Sequence, residues 1–281
     1  MNFKPEITAY IKITRPVNVL ITFITIIVAS VICTDGSYPV AKIIFAAVSA
    51  SFTAGAGNII NDIFDIEIDR INRPDRPLPS GKLKPDAAYF FYSLLVVCSV
   101  ILSALINSSA LIIELFTTAA LFSYSYKLKK IPLAGNITIS FLTGLVFIYG
   151  GVAVNNTSYA LLPAFFAFAI NLIRELIKDM EDIKGDYPKG ANTFPVKYGF
   201  TKTKKIIIIS TLILIAATVY PFIFRFYKIE YFIIVMVVVN PILIYIISSL
   251  LKDDSSKNLN KLSFFLKLNM VFGLIAIYFG K

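Results

Sequence analysis

The sequence predicts an all-α, polytopic membrane protein with nine transmembrane helices and a cytoplasmic N-terminus. Three observations predict it. Hydrophobic residues make up 57% of the 281 positions, giving a mean hydropathy of +0.76. They fall in charge-free runs at 16–34, 43–61, 87–113, 131–173, 206–224 and 231–251, near or above the ~20 apolar residues that a helix needs to cross the hydrocarbon core. The basic residues gather in alternate loops.

Taken in order, the first span covers 16–34. It follows Lys4, Lys12 and Arg15 as a secretory leader would, but Cys33-Thr34-Asp35 is a poor cleavage site and more spans follow, so a retained helix is expected. The second covers 43–62. Asn107, Ser108 and Ser109 interrupt the next window and divide it into spans at 87–106 and 109–126. Gly150, Gly151, Asn155 and Asn156 divide the following one into 133–154 and 158–178. Spans at 206–224, 231–251 and 262–280 complete the nine.

The segments 1–15, 63–86, 127–132, 174–205 and 252–267 hold 23 of the 27 basic residues. Lys and Arg resist translocation, so these segments are expected on the cytoplasmic side. The odd number of spans then leaves the C-terminus outside. One span miscounted in the middle would destroy the alternation.

A formal charge of +10 would suggest a nucleic-acid partner in a soluble protein; here it follows the loops, and no nucleic-acid partner is expected. No protein partner can be inferred from the sequence. There is no histidine, and Cys33 and Cys98 sit in or beside different spans, which excludes a zinc set and any histidine-based acid, base or triad. The chemistry falls to carboxylates, amides, Lys, Arg and Tyr.

Nine of the 17 acids lie in two short stretches, Asp62, Asp65, Glu67 and Asp69, then Glu175, Asp179, Glu181, Asp182 and Asp186. Asp62, Asp65 and Asp69 have spacings of three and four, and Asp179, Asp182 and Asp186 repeat them. Such spacings place each set on one face of a helix, with Asn58 and Asn61 extending the first strip and Glu175 the second. Carboxylates so arranged repel one another, and near hydrocarbon each costs roughly 2.5–3.5 kcal/mol. Solvated helix ends are the bland reading. A divalent cation explains the matched spacing better: carboxylate and amide oxygens suit Mg²⁺, which is usually completed by water and substrate phosphate oxygens. No EF-hand spacing favours Ca²⁺ storage.

Cations flank both strips. The stretch from Arg70 to Lys82 contains three prolines between Pro74 and Pro79, which forbid a continued helix and fix an ordered loop. Arg70 and Arg76 are candidates for clamping phosphate oxygens. Lys127, Lys178 and Lys184 add charge, and Arg15 and Asn18 can join them from the start of the first span. Glu114, alone in the fourth span and with no partner evident in the sequence, reads better as a structural hydrogen-bonding group than as a catalytic one.

The motif Asn61-Asp62-Ile63-Phe64-Asp65-Ile66-Glu67-Ile68-Asp69, with Asn72-Arg73-Pro74 and Arg76-Pro77-Leu78-Pro79-Ser80-Gly81 behind it, closely resembles the UbiA family of intramembrane prenyltransferases. Resemblance continues in Arg15-Pro16-Val17-Asn18, in Tyr124-Ser125-Tyr126-Lys127, in Arg174-Glu175 and in Lys178-Asp179 through Asp186. The family pattern falls on Asn61, Asp65 and Asp69 and on Asp182 and Asp186, with Asp62 and Asp179 as additional acids that bind metal or orient its waters. The resemblance implies a single domain over 1–281, nine helices around a central cavity, and cap loops near 63–86 and 179–205. It implies Mg²⁺ as cofactor, and a prenyl diphosphate and a lipid-like acceptor as substrates at the cytoplasmic face of the cell membrane. Asp65, Asp69, Asp182 and Asp186 would be the catalytic acids, and Tyr124 and Tyr126 would offer their ring faces to an allylic carbocation.

Within the family, the wording of both motifs is most similar to archaeal members that add a second geranylgeranyl chain to the sn-2 hydroxyl of geranylgeranylglyceryl phosphate. An aromatic or chlorophyll-type acceptor is the alternative. The D-G-x-x-A-R element of CDP-alcohol phosphotransferases does not occur, and cation transport fits poorly with acids placed beside Arg and Lys.

Overall fold

In the computed structural model, residues 7–34, 36, 38–186 and 193–281 are described, without the side chains of Asn72 and 184–186. Among the described residues nine helices are long and apolar enough to cross a membrane. They match the nine expected spans in order, and helix is the only extended secondary structure among them.

The chain falls into two compact units. The first holds residues 1–128 and 146–160. It contains α1 (Ile7–Ile13), α2 (Pro16–Cys33), α3 (Val40–Phe64), α4 (Ile66–Asn72), α5 (Pro85–Ala104) and α6 (Ser108–Tyr126), with the second half of α7 (Ala134–Ala153). Prolines at the first turns of α2 and α5 suit positions whose N–H has no helical acceptor. Asn107, one of the polar residues that divide the third and fourth spans, caps α6 by accepting from Ala110 N at 2.8 Å.

Helix α3 is the centre of this unit, packing against α2, α5 and α6. It buries 56% of its apolar window, against 17–28% for those three neighbours. Its run of Ala46, Ala47, Ser49, Ser51, Thr53, Gly55 and Ala56 keeps the surface narrow, which lets helices approach closely in lipid. The same economy operates at Gly150, where a Cβ would stand 2.7 Å from the Ala29 Cβ and Ser30 Oγ donates to the Gly150 carbonyl at 3.0 Å.

Glu114 projects from α6 into this interior and is 2% exposed. Its Oε1 accepts from Thr53 Oγ1 (2.5 Å), Ser99 Oγ (2.8 Å) and Thr118 Oγ1 (3.1 Å), so one carboxyl joins α3, α5 and α6. The sequence showed no partner because two of the three hydroxyls come from other helices. Glu114→Ala is expected to lower stability by about 1–2 kcal/mol, because Thr53 and Ser99 can turn back to their own helices' carbonyls. Glu114→Gln keeps an acceptor and should melt close to the parent protein, with prenyl transfer unchanged. Thermal unfolding in detergent alongside an activity assay checks both.

The second unit holds residues 129–145 and 161–281. It contains the first half of α7, then α8 (Leu161–Asp186), α9 (Phe194–Ile223), α10 (Ile229–Ile234), α11 (Asn240–Lys252) and α12 (Ser256–Gly280). Helix α8 packs on α9 and α12. Helices α10 and α11 form one span through a π-helical stretch at Val235–Val239, where the Asn240 N–H reaches back to the Val235 carbonyl. The ring of Pro241 would crowd the Val237 carbonyl in a regular α-helix, and the widened turn accommodates it.

Two boundaries depart from expectation. Helix α8 runs to Asp186 rather than ending near 178, and α9 starts at Phe194 rather than 206. The stretch 179–205, expected as a cap loop, is therefore helical over 179–186 and again from 194, while 187–192 lies outside the described residues. Pro195 opens α9, and Gly199 at φ +82° interrupts it. A conformation in that region suits glycine.

Candidate active site

The first acidic motif lies where α3 gives way to α4. The sequence implied one unbroken helical strip; the helix instead breaks at Asp65, whose φ −101° and ψ 6° tighten the turn. The Asp65 N–H still reaches the Asn61 carbonyl and the Asp69 N–H the Asp65 carbonyl. The strip is thus bent without losing its backbone hydrogen bonds.

Around that bend the buried acids are matched by arginines. Asp62, 3% exposed, accepts from Arg15 at 2.5 Å and from Arg76 at 3.1 Å, and Arg76 also binds Asp69, 5% exposed. Arg76 comes from the proline-rich stretch, which is folded back by the burial of Leu78 and Leu83. Arg15 reaches Asp62 from the position before α2, where its backbone is left-handed, φ 55° and ψ 71°. A non-glycine residue held there costs on the order of 1–3 kcal/mol. The charge-assisted bond to a buried carboxylate offsets that cost.

Asn61 and Asp65 form the other half of the motif, the Asn61 amide donating to Asp65 Oδ2 at 3.0 Å. Both are half-buried. Tyr126 meets Phe64 with ring centroids 5.6 Å apart and stacks with Phe122 at 6.4 Å, and Tyr124, two residues earlier on α6, is half-buried. Arg70 pairs with Glu67 on the exposed side of α4 instead of joining Arg76. Asn18 and Lys127 are exposed.

In the second unit the acids ride on α8. Asn171, Glu175, Asp179, Asp182 and Asp186 recur at helical spacing along one side of its last four turns. Asp179 accepts from Asn136 of α7 at 2.8 Å. Asp182 is exposed, and the side chains of Lys184 and Asp186 lie outside the described residues. Arg174 donates to Glu175 at 2.7 Å, and Lys178 stands 4.0 Å from the other Glu175 oxygen. Asn136 and Asn171 escaped sequence reasoning because each sits in a charge-free window with nothing nearby in the chain to mark it.

Among the described residues no three His, Cys, Asp or Glu side chains are grouped closely enough to cage a metal ion. The donors fit Mg²⁺ in another way, as oxygen ligands that share it with water and phosphate oxygens.

A profile described as the UbiA prenyltransferase family matches residues 22–269. The chain belongs to the UbiA prenyltransferase family. It is accordingly a membrane-embedded enzyme that transfers prenyl groups, and the resemblance drawn from the two acidic motifs is borne out. Among similar UbiA proteins, the digeranylgeranylglyceryl phosphate synthase of Methanobrevibacter smithii is 39% identical, with 96% of this chain and 97% of that one covered. The synthase of Methanocaldococcus jannaschii is 35% identical, with 99% and 98% covered. A solved structure of a digeranylgeranylglyceryl phosphate synthase superposes with a TM-score of 0.80 at 35% identity, covering 97% of each chain. A UbiA homolog from Archaeoglobus fulgidus solved with GPP and Mg²⁺ shares the fold, with a TM-score of 0.67 at 18% identity over 96% of this chain and 99% of that one.

Proposed function

We propose that this chain transfers a geranylgeranyl group from its diphosphate to the sn-2 hydroxyl of geranylgeranylglyceryl phosphate, forming the second ether bond of an archaeal membrane lipid. The observation that carries this reading is full-length similarity, at 35–39% identity, to digeranylgeranylglyceryl phosphate synthases. The distribution of basic residues supports a cytoplasmic N-terminus and a site at the cytoplasmic face of the cell membrane. The chain acts as one transmembrane domain, with the stretches near 63–86 and 179–205 as its caps.

Asn61, Asp65, Asp69, Asp182 and Asp186 hold Mg²⁺, with Asp62 and Asp179 supporting the first and second sets. Bound there, the ion supplies a Lewis acid and a charge clamp for the leaving diphosphate. Arg15 and Arg76 fix Asp62 and Asp69 in place, and Asn136 fixes Asp179. Arg70, Asn18, Lys127, Lys178 and Lys184 gather the phosphate oxygens. As the allylic C–O bond breaks, its electron pair leaves with the diphosphate, and the ring of Tyr124 or Tyr126 faces the developing carbocation. The acceptor hydroxyl bonds to that carbon and gives its proton to an aspartate or to the departing diphosphate; no histidine exists to take it.

Offering the purified protein geranylgeranyl diphosphate with geranylgeranylglyceryl phosphate, an aromatic acid or a chlorophyll-type acceptor tests the assignment. Ether formation with the glycerol lipid is expected. Turnover of an aromatic acid alone would sink the reading.

A further inference from the structure

Along the α8–α12 pairing in the second unit lies a group of cations, Arg174, Lys178 and Lys267, of which the reaction above uses only Lys178. Asn260 of α12 donates to Glu181 of α8 at 2.7 Å. Seven residues on along α12 and seven back along α8, the same register brings Lys267 to the level of Arg174, within range of its charge and of those of Lys178 and Glu175. The two helices run antiparallel, so this second meeting point lies ~10 Å deeper along both axes than the first. Sequence reading counted Lys267 as one more loop charge.

The group is built for an anion. Among the described residues, Arg174 and Lys178 pair with Glu175 and Lys267 feels the charge of all three, so three cations share that carboxylate. Arg174 spends one guanidinium nitrogen on Glu175 and Asn171, while its Nε is buried with no hydrogen-bond partner. A buried N–H without an acceptor costs about 1–3 kcal/mol, which an incoming oxygen would recover. Phosphate monoesters carry about −1.5 to −2 charges at neutral pH and offer three acceptor oxygens.

We infer that Arg174, Lys178 and Lys267 bind the phosphate of the glycerol lipid acceptor. This rests on the acceptor assigned above. Arg174 precedes Asp182 by eight residues, ~12 Å along α8, so Arg174 stands apart from the acids that hold the donor's diphosphate, with Lys178 between the two. In glycerol phosphate the free sn-2 hydroxyl is on the carbon next to the phosphate-bearing one. Gripping the phosphate therefore fixes where that hydroxyl is presented.

The test compares wild type, Lys267→Gln, Lys178→Gln and, as a control on the same helix, Lys257→Gln, each shown to be folded by its thermal melt in detergent. Binding of geranylgeranylglyceryl phosphate, of geranylgeranylglycerol and of geranylgeranyl diphosphate is measured separately. Wild type and Lys257→Gln should hold the phosphorylated lipid about tenfold or more tighter than the bare alcohol, as one lost charge-assisted hydrogen bond implies. Lys267→Gln and Lys178→Gln should lose most of that preference, with donor affinity unchanged for Lys267→Gln. A preference that survives Lys267→Gln overturns the inference, and so does a loss confined to the donor. Turnover is read in parallel: wild-type protein that binds the lipid phosphate selectively but never alkylates it refutes the proposed reaction and leaves the binding site standing.

Discussion

Replacing Asp65 by Asn is expected to cut Mg²⁺-dependent diphosphate release by a factor on the order of 10²–10³ while the protein still folds. The carboxylate at the bend between α3 and α4 is half-buried and takes a hydrogen bond from Asn61. An amide keeps the shape and loses the negative charge that an Mg²⁺ ligand needs. Asp182→Asn should do the same from α8, where the acid is exposed. Release of diphosphate from geranylgeranyl diphosphate, followed across a Mg²⁺ titration, reads both effects. Undiminished release from either variant would remove that acid from the site.

Arg76→Met should act mainly on stability, with a loss of about 3–5 kcal/mol. Arg76 is the shared partner of Asp62 and Asp69, its side chain is 17% exposed, and theirs are 4% and 7% exposed. Removing a buried cation while leaving its acids is the costly way to break an ion pair, because the remaining charges stay desolvated without compensation. Adding Asp62→Asn to Arg76→Met should restore part of the melting temperature, since one stranded charge is gone, and should restore no activity. Thermal unfolding of the single and double variants measures this. Equal melting temperatures for wild type and Arg76→Met would show that the pairs contribute nothing to folding.

The nine spans were legible because lipid demands long apolar runs and because topology writes itself into Lys and Arg. Helix ends were not, since α8 and α9 continue past the apolar windows as ordinary polar helices: Asp179 to Asp186 carry helical spacing and no hydropathy signal. The acids and most cations of the site were visible as residue types. Their pairings were hidden. Arg15 with Asp62, Asn136 with Asp179 and Thr53 with Glu114 are 47, 43 and 61 residues apart, and only helix packing decides which of many possible donors meets each acid. Arg70 and Arg76 show the same limit, since six residues separate an arginine spent on an exposed neighbour from one holding two buried carboxylates.

The antiparallel register of α8 and α12 means that the position of Lys267 is encoded by counting. Substitutions between Asn260 and Lys267 leave the lysine opposite Arg174 as long as helix and packing survive. Deleting one residue there turns Lys267 about 100° around the α12 axis and takes it off the face that meets α8. The length of that interval, more than the identity of what fills it, carries the information.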